Sequence, residues 1–136
     1  MTHLLDSNVC ISYLRSGGKS HAASRIQAAP PGDIGISAVV REELLFGALR
    51  SAKAQKNLNE TVTFLSAFPS VPFDDRAADV CSRVRADLEA SGTRIGYNDC
   101  LIAATALSNG FILVTHNVAE FSRVPGLIIE DWEASP

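Results

Sequence analysis

The sequence lacks an excess of cations: 12 Lys and Arg stand against 15 Asp and Glu, for a formal charge of −3. A protein that coats nucleic acid needs many cations to neutralise phosphates, so that class is excluded. An enzyme of nucleic acid is not, because a local basic patch or a bound metal can do the same work at one place. No apolar run approaches the ~20 residues that a membrane span requires. The opening Met1-Thr2-His3-Leu4-Leu5-Asp6 has no basic region followed by an apolar signal segment. Cysteine is scarce and unpaired: Cys10, Cys81 and Cys100 are odd in number and widely spaced. That pattern excludes zinc spacing and suits free thiols in a reducing compartment. The expectation is a cytoplasmic globular protein.

Other absences narrow the chemistry. There is no internal repeat, no G-x-G-x-x-G for a dinucleotide and no G-x-S-x-G nucleophile elbow. Gly18-Lys19-Ser20 has the ending of a phosphate-binding loop, but Tyr13 occupies the place of that loop's first glycine.

What is present fits one domain over residues 1–136, with 46% hydrophobic residues to build its core. Short apolar segments alternate with helical patterns. Strands are expected at His3-Leu4-Leu5, Ile34-Gly35-Ile36, Phe111–Thr115 and Leu127-Ile128-Ile129, with a short fifth at Val71-Pro72-Phe73 whose proline favours an edge or strand-end position. Helices are expected at Ser7–Arg15, Ser20–Ala29, from Ser37 to Leu49, and over Leu58–Phe68. Two more run from Asp74 or Asp75 to Glu89, and from Asp99 to Asn109 before Gly110. Nearly all-apolar strands alternating with helices predict a parallel sheet covered on both faces. In such sheets ligands bind beyond the carboxyl ends of the strands.

Several acids fall near those ends. Asp6 closes the first strand, where it serves equally as a helix N-cap or as a metal-binding carboxylate. Glu42 and Glu43 are adjacent in a helix whose apolar face carries Val40, Leu44 and Leu45, so one of them borders the core. A boundary glutamate either reaches for solvent or, if buried, needs a partner or cation. Asp99 opens an apolar and therefore central helix, where the dipole favours an acid and a ligand site is also served. Asn117 and Glu120 follow the clearest strand, at the spacing of a capping box. The constellation is Asp6, Glu43 and Asp99 with a fourth oxygen donor from Asn117 or Glu120. Such hard oxygen ligands select Mg²⁺ or Mn²⁺, suited to hydrolysing a phosphodiester. His116 is a lone loop histidine with no catalytic assignment.

In order along the chain, Leu4-Leu5-Asp6-Ser7-Asn8, Glu43-Leu44-Leu45-Phe46-Gly47, Ile95-Gly96-Tyr97-Asn98-Asp99 and Leu113-Val114-Thr115-His116-Asn117 are followed by Glu120-Phe121 and Val124-Pro125-Gly126-Leu127. This series resembles PIN-domain ribonucleases, specifically the VapC toxins of VapB–VapC toxin–antitoxin pairs. The resemblance implies an α/β/α sandwich with a central parallel sheet and a Mg²⁺- or Mn²⁺-dependent endoribonuclease. It places Asp6, Glu43 and Asp99 at the family's acidic metal positions. Asn117 stands where many members have aspartate, with Glu120 available to supply that charge, and Ser7 replaces the commoner threonine. It further implies an RNA substrate (initiator tRNA, cut in the anticodon stem-loop, among the candidates), a VapB-type antitoxin and toxin homodimers.

Overall fold

A computed structural model of the chain describes residues 1–134. Its five strands are β1 (His3–Leu5), β2 (Ile34–Ser37), β3 (Ser70–Val71), β4 (Ile112–Val114) and β5 (Ile129–Glu130). They form one sheet in the order β3-β2-β1-β4-β5, every pair parallel. The helices are α1 (Ser7–Arg15), α2 (Ala23–Ala28), α3 (Ala38–Leu49), α4 (Ala54–Ser66), α5 (Asp75–Ala90), α6 (Tyr97–Asn109) and α7 (Val118–Phe121). The layered parallel sheet agrees with the expected sandwich.

The order of strands has one consequence for function. From β1 the chain builds outward through β2 and β3, then returns to lay β4 and β5 on the other side. Adjacent strands β1 and β4 thus diverge in connection, which opens a crevice beyond their carboxyl ends. His3, Leu4 and Leu5 pair with Ile112, Leu113 and Val114, so Asp6 and Thr115 leave the sheet side by side.

Hydrophobicity explains why these segments sit where they do. Leu4, Leu5, Leu113 and Val114 are fully buried, and α6 buries Ile102, Ala103, Ala104 and Ala106 against the core. Truncating one such leucine to alanine costs about 2–5 kcal/mol, against a total stability of about 5–15 kcal/mol for a typical domain. Helix starts follow their caps: Ser37 Oγ accepts from Val40 N at 3.1 Å, and Asp74 Oδ1 from Ala77 N at 3.0 Å. Gly110 ends α6 at φ 69°, a left-handed conformation that glycine takes without a Cβ penalty.

Several boundaries differ from the sequence expectation. β3 spans Ser70–Val71 and ends before Pro72, which has no N–H for a ladder, and β4 is confined to Ile112–Val114. β5 begins at Ile129, and the side chain of Ile128 is 63% exposed although its carbonyl accepts from Leu113 N at 2.9 Å. An apolar side chain there signalled burial, whereas only its backbone joins the ladder. α4 begins at Ala54, because Ala-Gln-Lys-Asn are adequate helix formers that carry no apolar period. α2 is shorter than expected, its first residues forming a turn in which Ala23 N donates to Ser20 O.

Candidate active site

Asp6 is 2% exposed at the carboxyl end of β1. It is the N-cap of α1, with Oδ1 accepting from Ser7 N at 2.7 Å. Its other oxygen, Oδ2, accepts from Thr115 Oγ1 at 2.8 Å, and that hydroxyl accepts from Asn117 N at 3.0 Å. The residue therefore does more than cap: it is locked between the ends of β1 and β4. Burial pushes its carboxyl above the usual range, opposed by the bonds from Thr115 and Ser7.

Glu43 lies in α3 on the border of the face that buries Val40 and Leu44, while Glu42 is exposed. Glu43 Oε1 is buried without a hydrogen-bond partner. Burial raises its pKa, the Asn98 side chain pulls the other way, and Asp6 adds to the rise. The even choice left by the sequence is thus decided toward a buried, unsatisfied oxygen.

Asp99 is the third residue of α6. Its carboxyl is pushed up to about 7, first by burial, then by hydrogen bonding with Glu120, then by the charges of Glu120, Asp6 and Glu43. Asp99 is thus near enough to Glu120, Asp6 and Glu43 to feel the charge of each. Glu120 moves oppositely, held below its usual range mainly by the Gly96 N–H, with help from Asn117 and Arg123. The contact between the two carboxyls thus pushes Asp99 up and helps hold Glu120 down. Gly96 faces this pair: a Cβ on it would lie 3.3 Å from Asp99 Oδ2 and 3.6 Å from Glu120 Oε1.

Around Asn117 the arrangement departs from a capping box. Asn117 is the N-cap of α7 by position, but its side chain makes no capping bond. Its Nδ2 donates to Glu120 Oε2 at 2.8 Å, while Glu120 Oε1 accepts from Gly96 N at 2.7 Å. Glu120 therefore reaches away from its own helix to fasten the start of α6. Thr115 and Gly96 are the residues whose part the sequence did not disclose. Thr115 was visible at a strand end and Gly96 immediately before Tyr97, but their partners lie 109 and 24 residues away. His116 is exposed and bonds Asp131 at 3.1 Å rather than any of the four acids.

The donors suit a hard divalent cation. They are all oxygens, and the partnerless buried Oε1 of Glu43 is an acceptor that a cation would satisfy. Among the described residues, no three acids already converge at ligating spacing. The bonds from Gly96 and Asn117 hold Glu120 instead.

Two concavities flank this cluster. A groove of about 720 Å³ runs between α1, α3 and α4, lined by Ile11, Leu14, Glu43, Phe46, Glu60 and Asn98 among others. A smaller one, of about 280 Å³, lies between the last turns of α5 and the start of α6.

Comparison with known proteins agrees with this architecture. The model of the PIN domain family matches residues 3–127. The chain is 34% identical over 133 residues to ribonuclease VapC2 of Rickettsia felis, covering 98% of this chain and 99% of that one. It is 35% identical over 129 residues to the tRNA(fMet)-specific endonuclease VapC of Salmonella typhimurium, covering 95% and 96%. Among solved structures, DNA-bound VapBC from Salmonella typhimurium superposes with a TM-score of 0.92 at 34% identity, covering 97% of this chain and 98% of the other. VapBC2 from Rickettsia felis, bound to a DNA fragment from its promoter, gives 0.89 at 33% identity, covering 97% and 99%.

Proposed function

We infer that this chain, which belongs to the PIN domain family and within it to the VapC ribonucleases, is an endoribonuclease acting as the toxin of a toxin–antitoxin pair. PIN-domain ribonucleases are in general dependent on a divalent metal. The oxygen-only donor set favours Mg²⁺, with Mn²⁺ as a substitute. The observation that carries the reading is the gathering of Asp6, Glu43, Asp99 and Glu120 at one end of the sheet, with Glu43 Oε1 left unsatisfied.

Asp6, Glu43 and Asp99 are the residues that would hold the ion. Glu120 is the fourth acid of the site, and Asn117 fixes it. Because a carboxylate oxygen only accepts, the Asn117 side chain must present its nitrogen to Glu120. When bound, the ion supplies Lewis-acid chemistry, acidifying water and taking up charge on phosphate oxygens. The chain's own contribution is orientation and proton handling. Thr115 and Ser7 hold Asp6 in one rotamer. Glu120, which is not assigned to the ion, is the group placed to take a proton from water attacking phosphorus and to return it to the leaving ribose oxygen.

The substrate is RNA. The Salmonella and Shigella relatives are named for cutting tRNA(fMet), and a tRNA stem-loop is accordingly the substrate proposed for this chain. The partner is a VapB-type antitoxin, since the similar solved structures are VapBC complexes. The groove between α1, α3 and α4, acidic and carrying a 57% exposed Phe46, suits a basic amphipathic segment of such a partner. An antitoxin arginine placed among the carboxylates would take the charge position of the metal. The toxin is proposed to work as a homodimer in the cytoplasm. Its three free cysteines are all buried, and no helix among the described residues is long and apolar enough to cross a membrane.

The test is cleavage of total RNA and of a tRNA fraction by the purified, antitoxin-free protein, with Mg²⁺, Mn²⁺ or EDTA. Discrete metal-dependent products that vanish in Asp6→Asn and Asp99→Asn are expected. Activity surviving both substitutions would reject this site. A folded protein that cuts nothing would make it an RNA- or partner-binding module instead.

A further inference from the structure

We propose that the pocket at the end of α5 is where the RNA strand docks beside the cleavage site. Tyr97 is the surface on which one base stacks, and Arg94 and Arg123 take the adjoining phosphates. The proposal rests on the ribonuclease reading, and it names the residues that grip the substrate.

The first observation is the tyrosine. Tyr97 opens α6 two residues before Asp99, next to the Gly96 N–H that Glu120 accepts from. It is 61% exposed, which is high for a large ring. Its position is nevertheless not loose: the Arg85 guanidinium lies 5.0 Å from the ring centroid, over one face. One face is thus held by a cation while the rest of the ring is open to solvent. A ring fixed in this way has lost its freedom before a base arrives, so little further ordering cost falls on binding. Single-stranded RNA is recognised by stacking of splayed bases on such rings.

The second observation is charge. The pocket of about 280 Å³ is lined by Arg85, Arg94 and Tyr97 together with Leu88, Ile95 and a single acid, Glu89. Arg123 extends it toward the carboxylates: its Nη1 donates to Arg94 O at 2.9 Å, and its charge helps depress Glu120. The salt bridges among the described residues involve His3, Arg25, Lys56 and His116, not Arg85, Arg94 or Arg123. None of these three cations is therefore held in a salt bridge among the described residues. The larger groove, between α1, α3 and α4, carries Arg15 and Arg50 against Glu42, Glu43 and Glu60. A polyanion leaving the acid cluster is repelled on that flank and attracted on this one.

The test uses the full chain free of antitoxin. Michaelis kinetics are measured on an RNA that the wild type cuts, and anisotropy is measured on a labelled RNA stem-loop without divalent ions. Tyr97→Ala is expected to raise KM and Kd about 5- to 100-fold, the range for losing one stacked base, with kcat near wild type. Tyr97→Phe should restore both, because the ring and not the hydroxyl is used. Arg94→Ala should lower the slope of log Kd against log salt by about one. Wild-type KM and Kd in both alanine variants, from a protein that does cut RNA, would overturn the proposal. So would a loss of binding that accompanies conversion of a dimer to monomers in light scattering, since that puts a second copy of the chain on this face. A wild type that binds but never cuts would defeat the nuclease reading alone, and weaker binding by Tyr97→Ala would still support the docking surface.

Discussion

The two flanks of the acid cluster are built from similar materials to opposite ends. On one, α1, α3 and α4 enclose a long groove in which three glutamates outnumber two arginines and Phe46 stands exposed. On the other, the end of α5 and the start of α6 form a small basic pocket with an exposed ring already stacked on a cation. Net charge for the whole chain is slightly negative and mentions neither. The difference teaches that a nuclease need not be basic overall. It needs an anion-attracting surface on one side of its carboxylates, and it can leave the other acidic for a partner that brings its own cations.

That comparison can be broken or sharpened by substitution. The largest effect is expected at the cluster that both flanks share. Asp99→Asn should lower RNA cleavage by more than about 100-fold, because loss of outer-shell partners alone costs 10–100-fold. Binding of the antitoxin should fall far less, because its contacts in the larger groove remain while one carboxylate partner of its arginine is lost. If both are lost together with native circular dichroism intact, the two flanks are not separate. Next in size is Thr115→Val, which removes the hydroxyl that fixes Asp6 Oδ2. A loss of about 10–100-fold in cleavage is expected, with RNA affinity unchanged, since Thr115 belongs to neither flank.

Phe46→Ala is the mirror image of the Tyr97 substitution. It should weaken the antitoxin by about 10-fold, as truncating an aromatic anchor does, and leave KM for RNA as it was. Calorimetry on the toxin and its antitoxin checks the first half, and cleavage kinetics the second. Weakened RNA cleavage without weakened antitoxin binding would reverse the assignment of the flanks.

The smallest effect is on stability and concerns protonation of the cluster. Asp99 has its folded pKa raised to about 7 from an ordinary 3.8, so its contribution is fully present below the lower value. It is lost as the pH climbs through the higher one. Asp6 and Glu43 are raised as well and act in the same sense. Glu120 is lowered, and its opposite effect is confined to acid below its ordinary 4.5. Without divalent ions the protein should therefore melt lower at about pH 8 than at about pH 5, and added Mn²⁺ should narrow the gap. Asp99→Asn should raise the melting temperature at about pH 8 by roughly 2–4 °C. Thermal melts of the two proteins across that range decide it, and a gap left unchanged by the substitution would show that Asp99 does not hold the proton.

Much of this was legible along the chain because it is encoded locally. Alternating apolar strands and capped helices announced a parallel α/β architecture, and each of Asp6, Asp99 and Asn117 stands at an element terminus that its neighbours in sequence define. β5 starts later than its sequence suggests because an apolar side chain at Ile128 reads as buried whether or not the chain turns it outward. α4 was placed too late because its first residues are polar helix formers without a period.

What sequence by itself determined is therefore the layered fold, the identity of the acids and the family to which the chain is similar. These follow from side-chain chemistry and spacing over a few turns. Only the tertiary structure decided that Glu43, the glutamate singled out from the sequence, has a buried oxygen with no hydrogen-bond partner. The same is true of Glu120, which binds Gly96 across 24 residues instead of capping its own helix, and of the gathering of acidic and basic side chains into two different concavities. Each depends on contacts between segments far apart in the chain, whose distances are set by packing and leave no periodic trace in the order of residues.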